Sequence, residues 1–246
     1  MKLLSSTAMV TFRLAPARLG PGRRIYAIGD VHGMAQRLFA MHEAIAVDLA
    51  ARPCAIPLVL HIGDYIDRGP ESAAILARLA SNVAIAGAQT ICLTGNHESM
   101  ALGVLLGGDD EAARLWRMNG ADATLRSWRI DPSAPHQRWA RGIPSEQLEF
   151  LEALRLFHRD GDYFFVHAGL RPGVALADQD AEDLVWIREP FLSYRGDFGV
   201  VVVHGHTPTK APVVRANRIG IDTGAVFGGA LTAAVLEEDR LGFLQV

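Results

Sequence analysis

Along the first hundred residues, short unbroken apolar runs alternate with longer stretches in which apolar residues recur every three or four positions. "RRIYAIGD" and "PLVLHIGD" carry runs ending at Ile28 and Ile62, and "TICLTGN" carries one ending at Leu93. Short apolar runs bounded by glycine and polar residues predict buried strands over 24–28, 58–62 and 90–93. Between the first two, Leu38, Met41, Ile45 and Leu49 keep helical spacing, which predicts a helix from Ala35 to about Ala51. A second helix is predicted from Glu71 to about Leu79. Repeated strand–helix units of this kind define an α/β sheet.

The pattern then changes. "DDEAARLWRMNGADATLRSW" and "SEQLEFLEALRLF" read as helices, punctuated by Pro132, Pro135 and Pro144. They predict a helical insertion over about 99–157. Beyond it the runs are strand-like again: "YFFVHAGL", "VVVHGH", "NRIGIDTG", "ALTAAVLEE" and "RLGFLQV". The two strand-rich halves are expected to form one domain over 23–246. Residues 1–22 are expected to be a loosely ordered leader. Their apolar stretch is too short and too interrupted by Ser, Thr and Arg for a signal peptide.

Composition narrows the class. With 246 residues, 50% hydrophobic and 21% charged, the chain has the make-up of a folded protein and not a disordered one. A net charge of −3 gives no electrostatic footprint for nucleic acid. No apolar run approaches the ~20 residues of a membrane helix. Two cysteines, Cys54 and Cys92, make no disulfide framework and fit a reducing, cytoplasmic setting. Oligomeric state is not legible.

The chemistry lies where the strands stop. Each of the first three runs ends at glycine and then presents polar residues: Asp30 and His32; Asp64, Asp67 and Arg68; Asn96 and His97. Later runs end in His167 and in His204 and His206. An Asp and a His two positions apart are compatible with turn chemistry or with two metal ligands. The whole set offers oxygen and nitrogen donors without thiolate, which suits a hard or borderline divalent ion.

The blocks "GDVHG", "GDYIDRG", "GNHE", "HAGL" and "HGHTP", in that order, resemble the calcineurin-like metallophosphoesterases, and most closely their bacterial and phage-like serine/threonine phosphoprotein phosphatases. The resemblance covers about Ile25 to Gly224. It implies a four-layer αββα sandwich of two mixed sheets, with metals at the strand C-terminal ends. It implies two divalent ions, Mn²⁺ first, with Fe or Zn as alternatives. Asp30, His32 and Asp64 would hold one ion. Asp64 would bridge to the second, which Asn96, His167 and His206 complete. His97 resembles the family's general acid, oriented by Asp67. Arg68 and, in "LVWIREP", Arg188 resemble phosphate-binding arginines. The implied reaction is hydrolysis of phosphoserine- or phosphothreonine-type monoesters by direct attack of metal-bound hydroxide, on a phosphorylated protein or a small phosphoester. Symmetrical hydrolysis of diadenosine tetraphosphate is the alternative within the family. A metal-bound module that only binds phosphorylated partners is the alternative of another class, against which the intact His97, Asp67 and Arg68 argue.

Other candidates have plainer readings. His42, His61, His136 and His158 lack ligand-type neighbours and are expected to be structural. Pro208 stands where many metallophosphoesterases carry a second histidine of the last motif, so His204 is expected to play a supporting part. Tyr65, Glu98 and Asp222 are expected to fix loops. Neither cysteine is followed by Arg at the sixth position, which excludes a cysteine phosphatase, and no phosphate-binding loop of G-x-x-x-x-G-K-[ST] type is present.

Overall fold

The structure, a computed structural model, describes residues 10–81 and 85–246. Strand β1 (Arg13–Leu14) is followed by β2 (Arg23–Ile28), helix α1 (Ala35–Ala51), β3 (Ile56–His61), α2 (Ser72–Ala80) and β4 (Gln89–Cys92). Four helices come next: α3 (Asn96–Leu105), α4 (Asp110–Met118), α5 (Ala121–Ser127) and α6 (Ser145–Glu152). The remainder is β5 (Phe157–Asp160), β6 (Tyr163–Val166), α7 (Ala181–Trp186), β7 (Val201–His204), β8 (Val213–Val214), β9 (Arg218–Gly220), β10 (Thr232–Glu237) and β11 (Arg240–Gln245).

The strands form two mixed sheets. One runs β1-β11-β10-β2-β3-β4, the other β5-β6-β7-β9-β8. In the first, β2, β3 and β4 are parallel, and β10 lies antiparallel to β2. In the second, β6, β7 and β9 are parallel between antiparallel edges. Alternation along each strand divides the core. Ile25, Ala27, Leu58, Leu60, Phe165, Val203 and Leu236 meet between the sheets. Tyr26, Ile28, Val59 and Val235 face outward against α1, α2 and the other helices, through Leu38, Met41, Ile45, Ile75 and Leu76. Because both faces of β2 and β3 are covered, both must be apolar, which is why these strands appear as unbroken runs. Each fully buried aliphatic side chain stabilises by about 1.5–3 kcal/mol relative to exposure. The fourth layer is thin. Phe164, Val166 and Val202 on the outer face of the second sheet are covered by Leu184, Ile187 and Phe191, from the six-residue α7 and its flanking loop.

Three boundaries differ from the expectation. Helix α3 starts at Asn96, inside "GNHE", so the ligand-bearing motif is itself a helix N-terminus. Gly95 there is extended (φ −102°, ψ 177°), and its N–H donates to the Glu98 carboxylate at 2.9 Å, closing the first turn. At the other end, the expected helix through "LRLF" stops at Glu152. There Thr94 N–H donates to Arg155 O at 2.8 Å and Arg155 N–H donates to Cys92 O at 3.2 Å. The sheet edge thus captures a segment that helical spacing alone would continue. Finally, residues 10–22 are not a loose leader. Val10 and Phe12 pack on the core, β1 pairs with β11, and Tyr163 Oη–H donates to Ala17 O at 2.8 Å. Residues 1–9 of that expected leader lie outside the described residues. Among the described residues no helix is long and apolar enough to cross a membrane.

Candidate metal centre and active site

The loops after β2, β3, β4, β6 and β7 converge. Val31 N–H and His32 N–H both donate to Asp64 O, at 3.0 and 2.8 Å. Where these two loops touch, glycine is needed. Gly33 has φ +66°, and a Cβ on it would lie 2.4 Å from Gly69 O. Side chains that belong to the candidate site accept the same left-handed backbone without being glycine: His32 (φ 44°), Asp64 (53°), Asp67 (70°), Arg68 (69°) and His206 (64°). Such conformations persist only where surroundings over-determine them. Here the Glu98 carboxylate does much of that, accepting from Asp64 N–H at 2.8 Å and Tyr65 N–H at 2.7 Å.

Two clusters of buried donors share Asp64. In one, a ligand atom each of His32, Asp64 and His97 lies within 4.8 Å of the others; in the second, so do Asp64, His167 and His206. The hydrogen bonds fix which ring nitrogens are free. His167 Nδ1–H donates to Ile62 O at 3.0 Å, leaving Nε2 as a lone pair 3.0 Å from Asn96 Oδ1 and 3.4 Å from Asp64 Oδ1. His206 Nε2–H donates to Trp186 O at 3.1 Å, leaving Nδ1 2.9 Å from Asn96 Oδ1. His32 Nδ1–H donates to Ile66 O at 2.9 Å, leaving Nε2 3.3 Å from Asp64 Oδ2. At His167 and His206 acceptors therefore face acceptors. Protonating the rings would not resolve this near neutrality, because burial pushes His32 and His206 down to about 3 and lowers His167 too. Burial alone would raise Asp64, but the surrounding His167, His97, His32 and His206 rings hold it below the usual carboxylate range. A buried nest of lone pairs around an ionised carboxylate fits a cation. The Arg68 guanidinium faces the His32 lone pair directly.

Asp30 belongs to neither cluster. Its Oδ2 accepts from His206 N–H at 3.0 Å, and its buried Oδ1 has no hydrogen-bond partner. Burial, and then the nearby Asp222 and Asp64 carboxylates, raise its pKa well above the ordinary value. A cation would relieve both the orphaned oxygen and the crowding of negative charge.

His97 and Asp67 are fully buried and joined, Nδ1 to Oδ2, at 2.7 Å, while His97 Nε2 has no partner. Burial works to lower His97, but Asp64 and Asp67 outweigh it and raise its pKa above the ordinary histidine value. Its pKa thus moves in the opposite direction from those of His32, His167 and His206. Arg68 lies beside His32, its guanidinium 5.5 Å from the centroid of the exposed Phe227 ring. Arg188 is exposed on the loop after α7 and lines a cleft of about 670 Å³ with Trp186 and Asp183.

The remaining histidines take the plain readings. His42 and His61 pack edge to face at 5.2 Å, and burial pushes His42 down to about 4 and holds His61 well below the ordinary histidine value. His136 contacts Gly108 O at 2.9 Å, and His158 is partly buried on β5. His204 is held between Gly205 O (3.0 Å) and the Arg218 guanidinium (3.1 Å), beneath the turn that carries His206. The chain's pattern did not single out Trp116 or Thr124, both of which bond to Asp67; in sequence they were ordinary members of amphipathic helices.

Two facing mixed sheets with a buried carboxylate–histidine centre at their strand ends define a metal-binding hydrolase architecture. Residues 23–241 match the calcineurin-like phosphoesterase family, and the chain belongs to that family. It is 32% identical over 222 residues to "Serine/threonine-protein phosphatase 1" of Salmonella typhimurium, covering 87% of this chain and 93% of that one. It is 27% identical over 228 residues to "Bis(5'-nucleosyl)-tetraphosphatase PrpE [asymmetrical]" of Anoxybacillus flavithermus, covering 84% and 87%. The crystal structure of a cold-active protein-tyrosine phosphatase of a psychrophilic Shewanella superposes with a TM-score of 0.58 at 16% identity, covering 91% of this chain and 80% of that one, which shows a shared fold. The chain is a phosphatase-type hydrolase of a family that uses divalent metal. The dinucleotide hydrolase it resembles is asymmetrical, where the sequence reading expected the symmetrical kind.

Proposed function

We propose that this enzyme hydrolyses phosphoserine- and phosphothreonine-type monoesters with two divalent ions, Mn²⁺ in the first instance, in the cytoplasm. The observation that carries the reading is the pair of buried clusters sharing Asp64, one of which includes His97, itself bonded to Asp67. Asp30, His32 and Asp64 would hold one ion, and Asp64, Asn96, His167 and His206 the other. Bound there, two cations supply charge neutralisation and an activated water to a phosphate ester. Arg68 and Arg188 would grip the phosphate oxygens with planar forks. His97 would give its proton to the leaving oxygen, with Asp67 keeping the ring in place, a contribution typically worth ~10²–10⁴ in rate.

A second reading, asymmetrical cleavage of diadenosine tetraphosphate, is favoured by the likeness to the Anoxybacillus enzyme. The phosphatase reading takes precedence because the Salmonella relative has the higher identity and coverage. The deciding experiment is a panel of phosphopeptides, p-nitrophenyl phosphate and diadenosine tetraphosphate assayed with Mn²⁺. Phosphopeptides turned over with a kcat/KM at least about tenfold above the dinucleotide are expected, a gap of ~1.4 kcal/mol. The reverse order would establish the second reading.

A further inference from the structure

The helical insertion between β4 and β5 reaches into the site. Trp116 on α4 donates its Nε1–H to Asp67 Oδ2 at 2.8 Å, the oxygen that also bonds His97. Thr124 on α5 donates its hydroxyl to Asp67 Oδ1 at 2.7 Å and accepts from Asp67 N–H at 2.7 Å. Between them, Gly120 O accepts from Arg68 N–H at 3.2 Å. Gly120 has φ +104°, and a Cβ there would lie 2.8 Å from Arg68 N. Trp116, Gly120 and Thr124 are thus spaced four residues apart and contact two consecutive residues, both left-handed and neither glycine. Trp116, Thr124, Asp67 and His97 are all fully buried.

We infer that Trp116 and Thr124 are positioning residues for proton donation: they fix the Asp67 carboxylate so that His97 presents its free Nε2 to the leaving oxygen. Two of the three side-chain donors to Asp67 come from the insertion, and the third is His97 itself. Without the insertion's donors, the carboxylate could rotate away from the ring, and the strained Asp67–Arg68 backbone would lose the contacts that hold it. The inference rests on the reading of His97 as proton donor, and the insertion becomes part of the catalytic apparatus.

The test uses the Mn²⁺-loaded full chain, with Trp116→Phe, Thr124→Val and Thr124→Ser, and His97→Asn as reference. Phe keeps most of the ring but removes the donor; Val keeps the shape but removes the hydroxyl; Ser restores it. A phosphoserine peptide, with a poor leaving group, is compared with p-nitrophenyl phosphate, whose phenolate leaves with little proton assistance. Trp116→Phe and Thr124→Val should retain metal and lose kcat by about tenfold on the peptide, as expected for one hydrogen bond to a charged group, and by less than about threefold on the nitrophenyl ester. Thr124→Ser should recover the peptide rate to within about twofold. If His97→Asn shows the split between substrates but the helix variants reduce both rates equally, or neither, the inference is overturned and the His97 reading stands. If His97→Asn shows no split, the reading itself falls and the inference with it. Should Thr124→Val fail to fold, Trp116→Phe and Thr124→Ser decide.

Discussion

At the scale of single residues, Asp64 has the most demanding position. Four histidine rings surround it, Glu98 fixes its N–H, and its Oδ1 accepts from His97 N–H at 3.2 Å. It is the one carboxylate common to both clusters. Asp64→Asn should therefore lose bound metal and lower turnover more than about 100-fold, beyond the 10–100-fold typical of removing even an outer partner of a ligand. Elemental analysis of the purified variant together with its rate on p-nitrophenyl phosphate checks this; two retained ions at a near-normal rate would remove Asp64 from the bridging position. Asp64, Asn96, His167 and His206 were legible in sequence because each follows an apolar run that stops at glycine or at the last turn of a strand. Trp116 and Thr124 were not. Which face of α4 and α5 turns toward Asp67 depends on how the insertion docks, and helical periodicity only says that some face is buried.

At the scale of elements, the joint between β2 and β10 sets the frame of the first sheet. The register puts Arg24 opposite Glu237. Arg24, almost fully buried, donates to Glu237 Oε2 at 3.1 Å, and Arg52 Nη1 donates to the same oxygen at 3.0 Å. Burial would raise the Glu237 pKa, but Arg24, Arg240 and Arg52 outweigh it and hold it below its ordinary 4.5. A carboxylate depressed in the folded state stabilises above its unfolded pKa, and that contribution disappears as pH falls through the lower, folded value. Glu237→Gln should cost about 1.5–3 kcal/mol at neutral pH, the range for a hydrogen bond to a charged group. The gap from wild type should close below about pH 4.5. Urea unfolding at pH 7 and pH 3 checks it, and an undiminished gap at pH 3 would assign the loss to packing instead. Strands β2, β3 and β4 were legible as apolar runs to within a residue or two, whereas β1, β5 and β8 were not. Their partners were not, since an unbroken run carries no register of its own.

At the scale of the whole molecule, the centre is assembled from both halves, so metal binding should be coupled to global stability. His32 and Asp64 come from the first sheet's loops and His167 and His206 from the second's. An ion that binds only the folded chain adds about 2.7 kcal/mol at a hundredfold excess over Kd. Thermal melts should rise on Mn²⁺ addition and fall with a chelator, and His167→Asn should blunt the response. A melt indifferent to metal in the wild type would contradict a centre built across the two sheets. The α/β class was legible from repeated strand–Gly–ligand units, and the αββα architecture from the resemblance that those motifs carry. The thinness of the α7 layer, and the return of β10 and β11 to the first sheet, depend on long-range pairing that local pattern does not encode.

That return has a consequence for the newborn chain. Ile28 pairs with Ala233, roughly two hundred positions later. At about 5–20 residues per second of synthesis, β2 waits on the order of tens of seconds beside an empty place where β10 belongs. An apolar strand with unsatisfied backbone groups is a template for a neighbouring chain. His167 and His206 also emerge late, so ions have no complete centre with which to gather the early segments. Until β10 emerges that edge of β2 stays unpaired, and the set of candidate ligands is incomplete until His206 has been made.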